Sequence, residues 1–126
     1  MDGSKNVLII EDEPMLRDLY QKALRGAGYT VELAGNWAQA REKLVNFKPT
    51  YVLLDVMLPG ETGLEVLQFL RNDASFSCTQ ANILVLTNLA QHSVADNAMD
   101  HGADGYIIKA DILPADLPEI LESIND

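Results

Sequence analysis

The chain has 126 residues, is 48% hydrophobic and carries 19 acidic against 9 basic side chains, a formal charge of −10. A chain of this size can bury one core, and so acidic a surface argues against direct binding to nucleic acid or anionic membrane. Its one cysteine excludes an internal disulfide, and no apolar run approaches the ~20 residues that span a bilayer. We therefore expect a single cytoplasmic domain over residues 1–126.

Short apolar runs alternate with longer amphipathic stretches along the whole chain. The predicted strands cover residues 7–10, 30–34, 51–54, 83–86 and 106–108. The predicted helices cover residues 14–28, 37–47, 64–71 and 91–101, and a last short helix opens at 116–119. Regular alternation of this kind predicts an α/β domain with a five-stranded parallel sheet and helices on both faces, which is a doubly wound architecture.

Polar side chains follow four of the five predicted strands. They are Glu11, Asp12 and Glu13 after the first strand, Asp55 after the third, Thr87 after the fourth and Lys109 after the fifth. The second strand is followed by Gly35 and Asn36, which predict only the capping of the next helix, with Gln39 completing a capping box. Ligands of parallel sheets bind at the carboxyl ends of the strands, so we expect the four other sets to meet at one edge.

The chemistry of this edge favours a divalent cation and a phosphoryl group. Carboxylates held close together need a positive charge, and an oxygen-only ligand set suits Mg²⁺ better than zinc. Asp55 could attack a phosphoryl group and hold it as an acyl phosphate. Mg²⁺, Lys109 and the Thr87 hydroxyl could neutralise and position the phosphoryl oxygens.

Each of these residues also has an ordinary structural explanation. Asp55 alone is typical of a turn, and Glu11, Asp12 and Glu13 before a proline could be the acidic first turn of a helix. Thr87 could cap a helix, and a single lysine is usually a solvated charge. Their joint arrival at one sheet edge favours a functional site.

Four stretches carry a resemblance to a known family. They are VLIIEDE at 7–13, LLDVMLPG at 53–60, LVLT at 84–87 and GADGYIIK at 102–109. In this order and spacing they resemble the CheY-like receiver domain of two-component response regulators, over nearly the whole chain. The resemblance implies a flavodoxin-like fold with strand order 2-1-3-4-5.

The resemblance also implies a role for individual residues in phosphoryl transfer. Asp55 would accept the phosphoryl group from a sensor histidine kinase or a phosphotransfer protein. Mg²⁺ would be bound by Asp12, by Asp55, by the backbone carbonyl of Met57 and, through water, by Glu11. Lys109 would pair with a phosphoryl oxygen. The domain would catalyse its own phosphorylation and dephosphorylation without being a turnover enzyme.

A conformational switch is implied in the same way. Thr87 would hydrogen-bond the phosphoryl group, and Tyr106 would turn inward in response. The face made by residues 91–101, the fifth strand and the last helix would then signal to a downstream protein or a fused output domain.

Two positions depart from the family pattern. Ala110 stands where a proline usually follows the lysine, so we predict a trans Lys109–Ala110 bond, since a non-proline cis bond costs ~2.5–4 kcal/mol. Asn88 follows Thr87, where a small residue is usual. We expect the Asn88 amide to lie next to the phosphoryl group and to change its lifetime.

Three alternative functions remain to be weighed. An aspartyl-phosphate phosphatase or mutase would need a second carboxylate two residues after the nucleophile, where this chain has Met57. A flavin-binding domain would need a phosphate-cradling loop after the first strand, where Glu11 and its acidic neighbours would repel phosphate. A pseudo-receiver that only binds partners is disfavoured by the intact set of Asp12, Asp55, Thr87 and Lys109.

Overall fold

The structure, a computed structural model, describes residues 5–55, 63–72, 81–87, 99 and 102–124. The strands are β1 (Asn6–Ile10), β2 (Thr30–Ala34), β3 (Tyr51–Asp55), β4 (Asn82–Thr87) and β5 (Gly105–Ile108). The helices are α1 (Pro14–Gly26), α2 (Trp37–Leu44), α3 (Gly63–Asn72) and α4 (Leu117–Ile124), with 3₁₀ turns at Lys109–Asp111 and Pro114–Asp116. The predicted helix over residues 91–101 lies outside the described residues, apart from residue 99.

All five strands are parallel and lie in the order β2-β1-β3-β4-β5, as the sequence predicted. The register aligns the strand ends at one edge of the sheet. Ile10 pairs with Ala34 and Leu54, and Thr87 pairs with Ile108. Glu11, Asp55 and Lys109 follow Ile10, Leu54 and Ile108 directly, so they reach the same edge as Thr87.

Successive side chains of each strand point to opposite faces, and both faces are buried. On one face Leu8 and Ile10 pack with residues of α2 and α3, and on the other Val7 and Ile9 pack with residues of α1 and α4. Burial on both faces explains why the strands appear in the sequence as continuous apolar runs. The same packing holds the strand ends in place.

Helix α1 begins at Pro14, as predicted, and ends at Gly26, two residues before the predicted end at residue 28. Glu13 caps its start by accepting a hydrogen bond from the Met15 N–H at 3.1 Å. After Gly26 the chain turns through Gly28, whose φ of 96° is the left-handed conformation that glycine adopts without strain. Glu13 thus serves as a helix cap, which is the structural explanation that the sequence also allowed for Glu11 and Asp12.

Helix α2 begins at Trp37, as predicted, but its capping box and its end differ from the prediction. Asn36 accepts a hydrogen bond from the Gln39 N–H at 2.9 Å, but the Gln39 amide oxygen accepts from Gly35 and not from Asn36, so the capping box is only half formed. The helix ends at Leu44, three residues before the predicted end at residue 47. Its last turn tightens, because Val45 and Asn46 bond to carbonyls three residues back.

The carboxyl-terminal segment follows the sequence prediction closely. The Lys109–Ala110 peptide bond is trans, as predicted. Pro118 is the second residue of α4, in the first turn, where its missing N–H is not needed. Within the part of the chain that the structure describes, every helix is too short or too polar to cross a bilayer.

Candidate functional site

A cluster of carboxylates lies at the carboxyl edge of the sheet, where β1 and β3 end side by side. Glu11 is fully buried, Asp55 is 4% exposed and Asp12 is exposed. One oxygen from each of the three lies within 4.8 Å of the others. Glu11 and Asp12 follow β1 directly, and Asp55 is the last residue of β3. The structure thus brings together the three carboxylates that the sequence assigned to a metal site.

Lys109 joins this cluster from the far side of β4. Its Nζ lies 2.8 Å from Glu11 Oε1 and 3.2 Å from Asp55 Oδ2, and its side chain is 14% exposed. It opens the 3₁₀ turn after β5, so its long side chain reaches back across β4 to the ends of β3 and β1. The ammonium therefore balances part of the negative charge of two buried carboxylates.

The protonation of Glu11 is shifted by this environment. Burial raises its pKa most, and a hydrogen bond with Asp55 and repulsion from its charge raise it further, while Lys109 acts in the opposite direction; the net result is a pKa of about 7. For Lys109, burial alone would lower the pKa, but Glu11 and Asp55 outweigh it, so the pKa rises above its usual value. The lysine stays charged, and the carboxylates still need more positive charge than it provides.

The need for additional positive charge is clearest at the buried oxygen Glu11 Oε1. Glu11 Oε2 accepts a hydrogen bond from the Glu13 N–H at 3.1 Å. Oε1 contacts Lys109 Nζ, but among the described residues it finds no hydrogen bond of acceptable geometry. An under-satisfied buried carboxylate among other oxygen donors fits a small, hard divalent cation, with Asp12 open to solvent beside it.

Thr87 lies farther along the same edge, and Tyr106 lies within β5, two residues before its end. Thr87 is the last residue of β4 and is fully buried. Tyr106 lies beside Val85 in the β4–β5 pairing, and its ring is 44% exposed. Met57 and Asn88, which the sequence also places at the site, lie outside the described residues.

A contact that the sequence analysis missed holds the end of β1. Arg17 of α1 donates a hydrogen bond from Nη1 to the Glu11 carbonyl at 3.0 Å, and the Glu11 N–H donates to Ala34. Gly35 leaves room for this guanidinium, because a Cβ there would lie 2.6 Å from Nη1. The expectation that Gly35 serves only to cap a helix is therefore incomplete, and only the presence of an arginine one turn into α1 could have suggested otherwise.

The fold and this site together define a class of protein. A doubly wound sheet of order 2-1-3-4-5, with carboxylates and a lysine at its carboxyl edge, is the arrangement of a flavodoxin-like phosphoacceptor domain. Residues 7–125 match the family model of the response regulator receiver domain, and the chain belongs to this family. It is a phosphoacceptor signalling domain of the two-component type and not a classical enzyme.

Curated relatives agree with this membership. The chain is 36% identical over 105 residues to the phosphate regulon transcriptional regulatory protein PhoB of Pseudomonas aeruginosa, covering 83% of this chain and 45% of that protein. It is 37% identical over 120 residues to the response regulator MprA of Mycobacterium ulcerans, covering 94% and 47%. The chain thus spans about half the length of the curated relatives it matches.

Solved structures share the fold over nearly the whole chain. The chemotaxis response regulator CheY4 of Vibrio cholerae superimposes with a TM-score of 0.83 at 26% identity, covering 94% of this chain and 97% of that one. A response regulator protein from Burkholderia pseudomallei, solved with a phosphorylated aspartic acid, a calcium ion and citrate, superimposes at 0.80 with 30% identity, covering 95% and 66%. Both are regulators of the class that the site defines.

Proposed function

We propose that the chain is one receiver domain over residues 1–126 and that Asp55 is its phosphoacceptor. The observation that carries this proposal is the buried ion-pair network in which Lys109 lies 2.8 Å from Glu11 and 3.2 Å from Asp55. A carboxylate that is almost buried, next to a fixed ammonium and two further carboxylates, is suited to nucleophilic attack on a phosphoryl group.

The donor is a phosphohistidine of a sensor histidine kinase or a phosphotransfer protein. An Asp55 oxygen forms the new bond to phosphorus while the phosphorus–nitrogen bond to the donor breaks; the imidazole keeps the bonding electron pair and takes up a proton. Lys109 then pairs with a phosphoryl oxygen, and the Thr87 hydroxyl donates to another. Hydrolysis of the acyl phosphate by water restores the Asp55 carboxylate, so both steps occur within the domain itself.

We infer that the cation of the site is Mg²⁺, which would be held by Asp12, by Asp55, by the Met57 carbonyl and, through water, by Glu11. When bound, it neutralises the phosphoryl oxygens and the carboxylates around them. The oxygen-only donor set and the unsatisfied Glu11 Oε1 support this assignment. Arg17 contributes by holding the backbone of Glu11 in place.

Phosphorylation switches the domain through Thr87 and Tyr106. The new dianionic group draws the buried Thr87 hydroxyl toward it, and the exposed Tyr106 ring turns into the space that opens. The signal leaves through β5, α4 and the residues 91–101 to a downstream protein or a fused output domain. Asn88, next to Thr87 in sequence, tunes the lifetime of the phosphoryl group, and Asn88→Ala should change the dephosphorylation rate.

The acidity of the chain supports a cytoplasmic domain that binds neither nucleic acid nor membrane directly. Relatives such as PhoB are named as transcriptional regulators, and the chain covers only 45% of PhoB. DNA binding, where a relative has it, is therefore not a function that we assign to these residues.

Intact-mass measurement after incubation with acetyl phosphate and Mg²⁺ tests the acceptor. We expect wild type to gain the mass of one phosphoryl group and Asp55→Asn to gain none. Asp18→Asn, which removes an exposed carboxylate on α1, is the matched control and should behave as wild type. An adduct on Asp55→Asn, or none on wild type, would contradict the assignment.

A further inference from the structure

The backbone of Glu11 is held at both of its polar groups. Its N–H donates to the Ala34 carbonyl at 3.0 Å, and its carbonyl accepts from Arg17 Nη1, also at 3.0 Å. Ala34 is the last residue of β2, and Arg17 lies in the first turn of α1. The carbonyl that Arg17 holds belongs to the planar peptide group that joins Glu11 to Asp12. The contact therefore orients the backbone from which both carboxylates project.

The Arg17 guanidinium differs from the Lys109 ammonium in what it binds. Lys109 contacts the carboxylates of Glu11 and Asp55 directly. Arg17 donates to a backbone oxygen and, within the described ranges, forms no ion pair. A cation on the carboxylate oxygens would compete with Mg²⁺ for them. Arg17 can therefore orient the acidic segment and still leave its carboxylate oxygens to the metal.

Asp12 is the metal ligand that depends most on its backbone. Its side chain is exposed, and among the described residues no hydrogen bond or ion pair holds it. Glu11 is different, because its Oε2 accepts from the Glu13 N–H at 3.1 Å and its Oε1 contacts Lys109. Ordering a free side chain costs conformational entropy when a ligand binds. A fixed backbone at Asp12 lowers that cost, and Arg17 supplies it.

Gly35, directly after β2, provides the space that this guanidinium occupies. A Cβ at Gly35 would lie 2.6 Å from Arg17 Nη1 and 3.3 Å from Gln39 Oε1. In the described part of the chain the glycines with positive φ are Gly28 and Gly102, so the backbone at Gly35 would accept an alanine without strain. Glycine is needed here for the guanidinium and not for the turn. An added methyl would displace the end of a flexible side chain and leave the fold intact.

We propose that Arg17 and Gly35 are positioning residues for the cation of the phosphoacceptor site and that they act as one unit. Gly35 seats the guanidinium, the guanidinium holds the Glu11 carbonyl, and the held peptide group directs the Asp12 carboxylate toward the metal. The inference rests on the proposed function in naming that metal as Mg²⁺. Groups that orient metal ligands without touching the metal typically change its affinity by about 10–100-fold when they are replaced.

A double-mutant cycle tests whether the two positions act as one unit. Arg17→Met removes the donor, Gly35→Ala places a methyl group where the donor lies, and the double variant does both. MgCl₂ is titrated into the full chain, and the NMR shifts of the Asp12 and Glu13 amides give the dissociation constant of this site. We expect each single variant to bind Mg²⁺ about tenfold more weakly and the double variant to be no weaker than either. Additive losses would mean independent effects and would overturn the coupling.

The sign of the Arg17→Met effect separates positioning from simple charge. If Arg17 acted only through its charge, its removal would strengthen Mg²⁺ binding, because one repulsive positive charge would be lost. Positioning predicts weaker binding, so tighter binding by Arg17→Met would refute the proposal. Two matched controls should bind Mg²⁺ as wild type does. Gly26→Ala adds the same methyl group where no atom lies within 4 Å, and Arg41→Met removes an exposed arginine of α2.

Measurements without metal and at saturating metal distinguish positioning from a structural role. In EDTA the Glu11 N–H should exchange with deuterium about tenfold faster in Arg17→Met and Gly35→Ala than in wild type, while the urea midpoint of Gly35→Ala stays unchanged. Phosphorylation by acetyl phosphate should be about tenfold slower in both variants at Mg²⁺ well below the dissociation constant and equal to wild type at saturation. Lower stability with unchanged Mg²⁺ affinity would show a purely structural contact and contradict the proposal.

The outcomes also separate this proposal from the proposed function. If wild type gains no phosphoryl group but both variants lose Mg²⁺ affinity, the positioning role stands and the assignment of Asp55 fails. If wild type is phosphorylated and both variants bind Mg²⁺ as wild type does, the positioning role alone fails.

Discussion

At the scale of single residues, Glu11 concentrates the unusual electrostatics of the domain. It is fully buried, and its pKa of about 7, compared with an ordinary 4.5, follows first from burial and then from Asp55. Between these two pH values the folded chain holds a proton that the unfolded chain has released. The free energy of unfolding should therefore fall as pH rises through this window, by at most about 3 kcal/mol, and stay low above it.

Urea unfolding in EDTA, from about pH 5 to about pH 8, measures this effect. Replacing Glu11 by glutamine removes the titrating group, so the difference between wild type and Glu11→Gln should shrink toward low pH and grow toward high pH. Glu42→Gln, an exposed change on α2, should run parallel to wild type. A Glu11→Gln curve that also stays parallel to wild type would show that Glu11 is not the group responsible.

Lys109 has the complementary role, since it is the cation that two carboxylates share. Lys109→Met keeps the apolar stem but removes the charge that faces the phosphoryl oxygens. We expect the rate of phosphorylation by acetyl phosphate to fall by about a hundredfold, the order seen when one charge-stabilising donor is removed from an active site. Mass spectrometry over time measures this rate. Lys22→Met, which removes an exposed ion pair on α1, should leave it unchanged, and an equal loss in that control would point to bulk charge.

At the scale of elements, Arg71 ties the end of α3 to the starts of β4 and β5. Its guanidinium donates to the Ala81 carbonyl at 2.9 Å, to the Gly102 carbonyl at 2.8 Å and to the Asp104 carboxylate. Asp104 also accepts a hydrogen bond from the Ile83 N–H at 2.7 Å. The Arg71 side chain is 16% exposed and that of Asp104 is 38% exposed, so the guanidinium is better shielded from water than its carboxylate partner. They lie at the amino edge of the sheet, away from the phosphoacceptor site.

Arg71→Met should lower the free energy of unfolding by about 2–3 kcal/mol, because three hydrogen bonds of a charged donor are lost and the end of α3 loses its link to β4 and β5. Urea unfolding measures the loss. Arg41→Met on α2 removes an exposed arginine and should change stability by less than about 0.5 kcal/mol. The phosphorylation rate of Arg71→Met should equal that of wild type at temperatures where it is folded; a slower rate would mean that α3 couples to the site.

The sequence predicted the elements well wherever one local signal decides them. The bounds of β2 were predicted correctly, and the other strands are only one or two residues longer than their apolar runs, because pairing extends into flanking residues such as Asn6 and Asn82. The predicted end of α2 was wrong, since a tightened last turn depends on packing that no local signal encodes. The capping box is half formed because the Gln39 amide oxygen accepts its hydrogen bond from the Gly35 N–H, a choice that the sequence pattern does not encode.

For the site, strand order allowed the sequence to predict which side chains meet but not how they interact. Glu11, Asp12, Asp55 and Lys109 do gather at one edge. That Lys109 contacts Glu11 more closely than Asp55, and that Glu11 is the more deeply buried carboxylate, depends on the reach of one side chain across β4. The contact of Arg17 with the Glu11 carbonyl required the packing of α1 against the sheet, which periodicity alone does not give.

At the scale of the whole molecule, the two cores of the sheet support the phosphoacceptor edge. The carboxylates of Glu11, Asp12 and Asp55 gather at this edge, where β1 and β3 end. One apolar core packs on each face of the sheet. A cation bound by these carboxylates should therefore stabilise the whole fold, because only the folded chain assembles its ligands.

Thermal unfolding with Mg²⁺ tests this linkage across the molecule. At about pH 8 and at ten times the dissociation constant, MgCl₂ should stabilise wild type by about 1.4 kcal/mol relative to NaCl of equal ionic strength, a rise in Tm of about 4 °C. Asp12→Asn removes a solvent-open ligand and should lose most of this rise. At about pH 5.5 the rise should shrink in wild type, since Glu11 then holds a proton. A rise of equal size in wild type and Asp12→Asn would locate the cation elsewhere on the acidic surface and leave the carboxylate cluster without its proposed occupant.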